Sequence, residues 1–552
     1  MGYLLLWLET MALAWLLVAV AFSCSGRLKK WPVLWPILIA VLITVPAVLL
    51  TILSEKIYFA DIRPQWLFPY TLSWTLFFLA GSWLLIRQGR RPSGETPVAA
   101  TWCRWKLAGG CLVLLALQGI TMDTLDNASK VKAIAAQTLA LTRAQTLLPS
   151  SPAKEDDAAE KYDHAIRELG EVPDWLWNSP TDPAFDPTSD QVQNLLREKQ
   201  KAVRLFKEAA QKPNYYQPSI LSFDYPLPDI VPLTNATRLL ALEARAHARN
   251  GQMGLALQNI STMEKFAEHL QQTPTLITSL AAATVLEKSK MALELILAEQ
   301  PGRSKIKVVL PVKIHDRLLQ SLRNGLVIEE AIQDFGMADM LINHPSIYLL
   351  SDGFGESFWG GIENKVYRVF FYKDDLASHR MMWKKIQEFT QKPYYQSGQE
   401  LMEWENRPPD NSMLGILTSI SGPRISKYFE RATHQQTQFL LGKLGLATAA
   451  YRSDHGKYPA TLNALVPKYI TEIPTDPFSG EPLKMKKMED GMILYGVGED
   501  LKDDGGLAYD NLAKEGDIAF YLGSAYTERR LKPALEAQRK SEERAKNKKK
   551  KK

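Results

Sequence analysis

The chain has 552 residues, 46% of them hydrophobic and 23% charged, with a formal net charge of +6. That length holds more than one folding unit. Residues 527–552 carry twelve Lys/Arg against four Glu, a surplus of eight, so everything before them sums to −2 and no basic surface argues for a nucleic-acid-binding fold. The three cysteines are Cys24, Cys103 and Cys111. The remainder therefore has no disulfide framework, cysteine-ligated zinc or cysteine nucleophile.

Residues 1–122 alternate long apolar runs with basic loops. Four runs, 4–23, 32–53, 66–86 and 107–122, approach the ~20 residues that a membrane-spanning helix needs. Glu9 falls at the edge of the first run and is expected at the interface. The loops after the first and third runs hold Arg27, Lys29 and Lys30, then Arg87, Arg90, Arg91, Arg104 and Lys106. Basic loops face the cytoplasm, so the pattern predicts a multi-pass protein of the inner (cytoplasmic) membrane. Its large C-terminal part is then exoplasmic or periplasmic, with membrane lipid as a partner.

From 123 to 423 the pattern is mainly helical. A helix-forming stretch over 129–148 stops at the Pro-Ser-Ser-Pro-Ala break of 149–153. Ala158, Tyr162, Ile166 and Leu169 then recur at helical steps. Pro-rich segments at 173–187 and 213–232 contain Trp175, Trp177, Tyr215 and Tyr216, expected as packing anchors. Residues 234–270 predict two antiparallel helices, capped by Thr234 or Asn235 and turned at Asn250-Gly251. This Ala-rich hairpin resembles the tetratricopeptide type, although no 34-residue repeat recurs. No metalloprotease, nucleophile-elbow or phosphate-loop motif occurs. The glycine-rich stretch at 353–361 reads as an aromatic turn. The eight scattered histidines, among them His247 and His269, read as structural or solvent-facing.

The last folded segment, 424–526, is the most patterned. Phe439, Leu440, Leu444, Ala447 and Tyr451 form an apolar stripe on one long helix, which Gly456 should end. Tyr458-Pro459 and a short second helix with Leu462, Leu465 and Val466 follow. A hairpin with Asp490-Gly491 at its tip comes next, then the acidic Asp-Leu-Lys-Asp-Asp-Gly-Gly of 500–506 and the apolar run closing at 522. In this order, D-x-G-x-Y-P, T-L-x-A-L, I-P-x-D-P-F-S-G, L-Y-x-V-G-x-D, D-G-G and G-D-I resemble the C-terminal domain of the major pseudopilin of type II secretion, over about residues 428–522. The resemblance implies a small α+β module that binds calcium through Asp500, Asp503, Asp504 and Asp517. Carboxylates on a tight loop suit a hard cation, and the spacing is not that of an EF-hand. No pilin leader or Phe-Thr-Leu-Ile-Glu processing motif precedes the module, so it is expected as a borrowed fold, not a polymerising subunit.

The expected whole is therefore a membrane α-helical region of four spans at 1–122, a mainly α-helical soluble region, the pseudopilin-like module and a disordered basic tail at 527–552. The tail, whose like charges repel, would solvate or adsorb to anionic surfaces. Function is expected to be non-enzymatic: an envelope scaffold or assembly protein, linked to a secretion or pilus-like system, with protein partners and no specific nucleic acid. The alternatives are a helical repeat-like peptide- or polymer-binding receptor and an enzyme with an unrecognised site.

Overall fold

The computed structural model describes residues 120, 123–147, 150–177, 179–216, 230–273, 275–298, 314–343, 368–369, 372–406, 424–508 and 515–550. Among them no helix is long and apolar enough to cross a membrane. That finding corrects the multi-pass fold class and the inner-membrane localisation. The expected spans at 4–23, 32–53, 66–86 and, apart from Ile120, 107–122 lie outside the described residues, as do Glu9 and the glycine-rich stretch at 353–361. What is described is mostly helical with one small sheet.

The chain divides into two compact units. Unit 1 comprises residues 1–140, 333–382 and 407–422. Within it Arg368 and Asp126 form a buried ion pair, Nη2 to Oδ2 at 3.1 Å. His379 is fully buried with Nδ1 2.9 Å from Asp334 Oδ1 and Nε2 3.1 Å from Gln333 Oε1.

Unit 2 comprises residues 141–332, 383–406 and 423–552. Helix α1, at 123–145, falls mostly in unit 1; unit 2 holds α2 (Ala159–Leu169), α3 (Asp190–Glu198) and α4 (Gln200–Ala210). Three antiparallel helices follow: α5 (Ile230–Arg249), α6 (Met253–Gln272) and α7 (Leu276–Ala298). Gly251, in the turn between α5 and α6, has φ 73°, the left-handed conformation that glycine adopts without strain. Helix α5 starts at Ile230 and not at the expected Thr234 or Asn235, which lie inside it. Pro232 allows this early start, because the first turn has no intrahelical use for its N–H. Tyr215 is a buried anchor as expected; Leu176 (fully buried) takes the role that Trp177, 47% exposed, was expected to fill.

Helices α8 (Ile314–Asn343), α9 (Tyr372–Gln391), α10 (Tyr394–Asn406) and α11 (Ile425–His455) complete the main helical order. Gly456 ends α11 at φ 72°, its N–H donating to Arg452 O at 2.8 Å, as the sequence predicts. The second short helix shrinks to a 3₁₀ turn at Leu462–Leu465, which still buries both leucines. Strands β1 (Lys484–Met488), β2 (Gly491–Gly496) and β3 (Ile518–Gly523) form an antiparallel sheet in that order. β2 does not alternate: all six residues are buried. One face of the sheet places Phe520 against Gly445 of α11. The other gathers Ile493, Tyr495, Tyr521 and Tyr526 around Leu295 of α7. The C-terminal module thus shares a core with the middle helices.

Residues 532–550, expected without structure, form helix α12 (Lys532–Lys550). Its Ala, Leu, Glu, Gln, Arg and Lys are strong helix formers, and Glu536–Lys540, 2.7 Å apart and one turn apart, supports it.

Candidate cation site in the C-terminal module

The turn that carries the Asp-Pro-Phe-Ser-Gly motif is structural. Asp476, 2% exposed, accepts hydrogen bonds from Phe478 N at 3.0 Å, Ser479 Oγ at 3.1 Å and Val497 N at 2.8 Å. Its carboxylate therefore closes its own turn and clamps the chain leaving β2. Phe478 packs edge-on against Tyr394, centroids 5.0 Å apart.

That clamp starts the acidic loop. Asp500 Oδ1 accepts from Lys502 N at 3.2 Å, while Oδ2 is buried with no hydrogen-bond partner among the described residues. Leu501 between them has φ 57°, unusual for a residue with a Cβ. Asp503 is spent otherwise than expected: Oδ2 meets Lys484 Nζ of β1 at 2.7 Å and Oδ1 accepts from Gly505 N at 3.1 Å. The lysine bond holds the Asp503 carboxyl below its usual range.

Gly505 and Gly506 have φ 68° and 78°, and a Cβ on Gly506 would meet Ile493 at 2.5 Å. Both facts require glycine there. The turn they make aims Gly506 N at Asp517 Oδ2, 2.6 Å away, and Tyr521 O–H fixes the loop by donating to Gly506 O at 2.9 Å.

Asp517 is fully buried, and its other oxygen, Oδ1, has no partner among the described residues. Burial pushes its carboxyl up to about 6; bonds from Gly506 and Asp504 N–H groups pull the other way, and the charges of Asp503 and Asp504 add to the rise. The structure thus leaves two buried carboxylate oxygens unspent, one on Asp500 and one on Asp517. Asp504 contributes its backbone to Asp517, and Asp503 is tied to Lys484. Among the described residues no group of three or more His, Cys, Asp or Glu is placed to hold a metal ion, so the expected four-aspartate set is not assembled. An unspent carboxylate oxygen is the donor type that a hard cation takes alongside backbone carbonyls and water; Asp503, held in its lysine bond, is not available for that role.

Sequence reasoning missed Lys484 as a competitor. It also missed Lys290 and Glu294 on α7, which bond to β3 at Ala519 O and Tyr521 N. Their only signal is a Lys and a Glu four apart within an Ala- and Leu-rich helix.

Compared with known proteins, the chain matches no family model, no curated protein and no solved structure. The type II secretion and calcium assignments therefore have no relative behind them, and the link to secretion is withdrawn.

Proposed function

We propose that the chain is a non-enzymatic interaction scaffold whose C-terminal α+β module is tightened by a hard divalent cation, calcium being the one its donors suit. The observation that carries this reading is the pair of partnerless buried oxygens, Asp500 Oδ2 and Asp517 Oδ1. Native structures rarely leave such groups unpaired without a reason. Buried titratable groups that could serve chemistry elsewhere, His269 and Asp476, are committed to structural bonds.

Thermal melting of the full chain with millimolar calcium and with chelator tests the reading. Calcium at a hundred times its dissociation constant adds about 2.7 kcal/mol. Asp500→Asn with Asp517→Asn abolishes the increment, and Asp503→Asn keeps it. Protonation sets the pH dependence. Asp517 titrates at about 6 in the fold against 3.8 for an ordinary aspartate, so it is neutral below about 6 and cannot serve the cation. The calcium increment therefore shrinks as pH falls from 7 to 5. An increment that is absent at pH 7, or that survives the double substitution, overturns the reading.

A further inference from the structure

Helix α5 carries two arginines seven residues apart, Arg238 and Arg245. Two helical turns separate them, so they share a face, and both face the irregular segment 174–185. Arg245 is fully buried and bonded to that segment. Its Nη1 donates to Ser179 O and Asp182 O, both at 3.0 Å, and its Nη2 to Phe185 O at 2.9 Å. Backbone carbonyls of that segment thus take up its donors.

Arg238 is nearly as buried, at 8% exposure, but is not occupied in this way. Among the described residues its hydrogen bond is Nη1 to Asn235 Oδ1. Its Nε is buried with no partner among the described residues. The indole of Trp177 covers the guanidinium, 4.1 Å from Cζ to the ring centroid. Burial draws the guanidinium below its usual range. Two residues past Trp177, Ser179 Oγ is also buried without a partner among the described residues.

A guanidinium presents its donors in a rigid planar fork. Here Nη1 is used toward Asn235, while Nε, on the side edge, has no partner among the described residues. An unpaired buried cation is costly, and the side edge matches a carboxylate with two parallel N–H···O bonds. One positive charge balances a carboxylate monoanion better than a phosphate dianion. Trp177, 47% exposed, adds apolar ring surface next to the charge. We propose that Arg238 and Trp177 form a binding site for a carboxylate carried on an apolar body, as the C-terminal residue of a peptide with an apolar side chain presents it.

The test is isothermal titration of the full chain with an N-acetylated tripeptide ending in leucine. The free-acid and amide forms are compared, with benzoate and inorganic phosphate as further arms. The free acid binds at least tenfold more tightly than the amide. Arg238→Lys, which keeps the charge and loses the fork, weakens the acid at least tenfold while circular dichroism and melting stay native. Trp177→Leu, at an exposed position, weakens the peptide and serves equally if the Arg238 variant does not fold. Equal binding of acid and amide, or full affinity in Arg238→Lys or Trp177→Leu, overturns the proposal. So does phosphate binding more tightly than the acid. Benzoate matching the peptide overturns the peptide as occupant. None of these outcomes depends on calcium, so this site and the cation site fail separately.

Discussion

His269 is fully buried, in ring contact with Tyr162 and Tyr215. Tyr162 O–H is 2.9 Å from Nδ1 and Lys212 O is 2.9 Å from Nε2. The two bonds assign a neutral ring: Nε2–H donates to the carbonyl and Nδ1 accepts from the phenol. Burial lowers its pKa to about 4, and burial does the same to His434, also to about 4. Because the unfolded histidine takes its proton near 6.5 and the folded one only near 4, stability is full above 6.5 and falls as pH drops through that window. His269→Gln forfeits ring contacts and one bond, costing on the order of 1–3 kcal/mol at pH 7.5, and flattens the fall between pH 7 and 5. Calorimetric melting at both pH values checks this; an unchanged slope means that His269 is not the titrating group. At the cation site, the aspartates themselves were legible, because the D-D-G-G spacing marks a tight acidic loop. Lys484 was not: it reaches Asp503 across the hairpin, and nothing in linear spacing tells which strand residue will face a loop nineteen positions later.

The sheet has two edges, and each is protected differently. β1 carries Lys484, Lys486 and Lys487, the charged side chains that discourage a further strand from pairing. β3 is closed by α7 instead. Lys290 Nζ donates to Ala519 O at 2.8 Å and Tyr521 N donates to Glu294 Oε1 at 3.2 Å. Ala519 and Tyr521 are two apart on the strand, while Lys290 and Glu294 are four apart on the helix and paired at 3.1 Å. One buried ion pair thus supplies the acceptor and the donor that a fourth strand would have offered. Lys290→Met leaves the buried Glu294 with Arg530, 3.6 Å away, as its ion partner, and costs about 3 kcal/mol, the low end for breaking a buried pair. Replacing both by Met costs less than the sum of the single changes, since the pair shares one interaction. Urea denaturation of the three variants measures the coupling, and simple additivity would show that the pair does not act as a unit. The long helix α11, its glycine stop and the hairpin were all readable, because each is written in residues a few positions apart. The cap on β3 joins residues more than two hundred positions apart, and local periodicity contains no record of that pairing. The buried state of β2 was hidden for the same reason: alternation implies one wet face, and here α7 covers it.

At the scale of the molecule, these contacts decide what folds together. The resemblance to a free-standing module predicts that 424–526 is a body of its own. Unit 2 instead combines it with residues 141–332 and 383–406, and Leu295 of α7 sits in the same cluster as Ile493, Tyr495 and Tyr521. Cutting the module out would expose that cluster and the unprotected edge of β3, an aggregation hazard. Within unit 2 the helical layer and the sheet are therefore expected to unfold as one cooperative body. Ligand binding at the acidic loop then stabilises the helices through the shared core, because a cation that binds the folded state alone shifts the whole cooperative equilibrium. Hydrogen exchange of the full chain resolves the question at the level of peptides. With calcium, amides in Leu276–Ala298 slow together with those of Ile518–Gly523, by a similar factor, and Asp500→Asn with Asp517→Asn removes both effects. If calcium protects the strand while α7 exchanges as before, the ion-pair cap and the Leu295 cluster do not couple the two layers. The module would then be an independent fold that only rests on its neighbours.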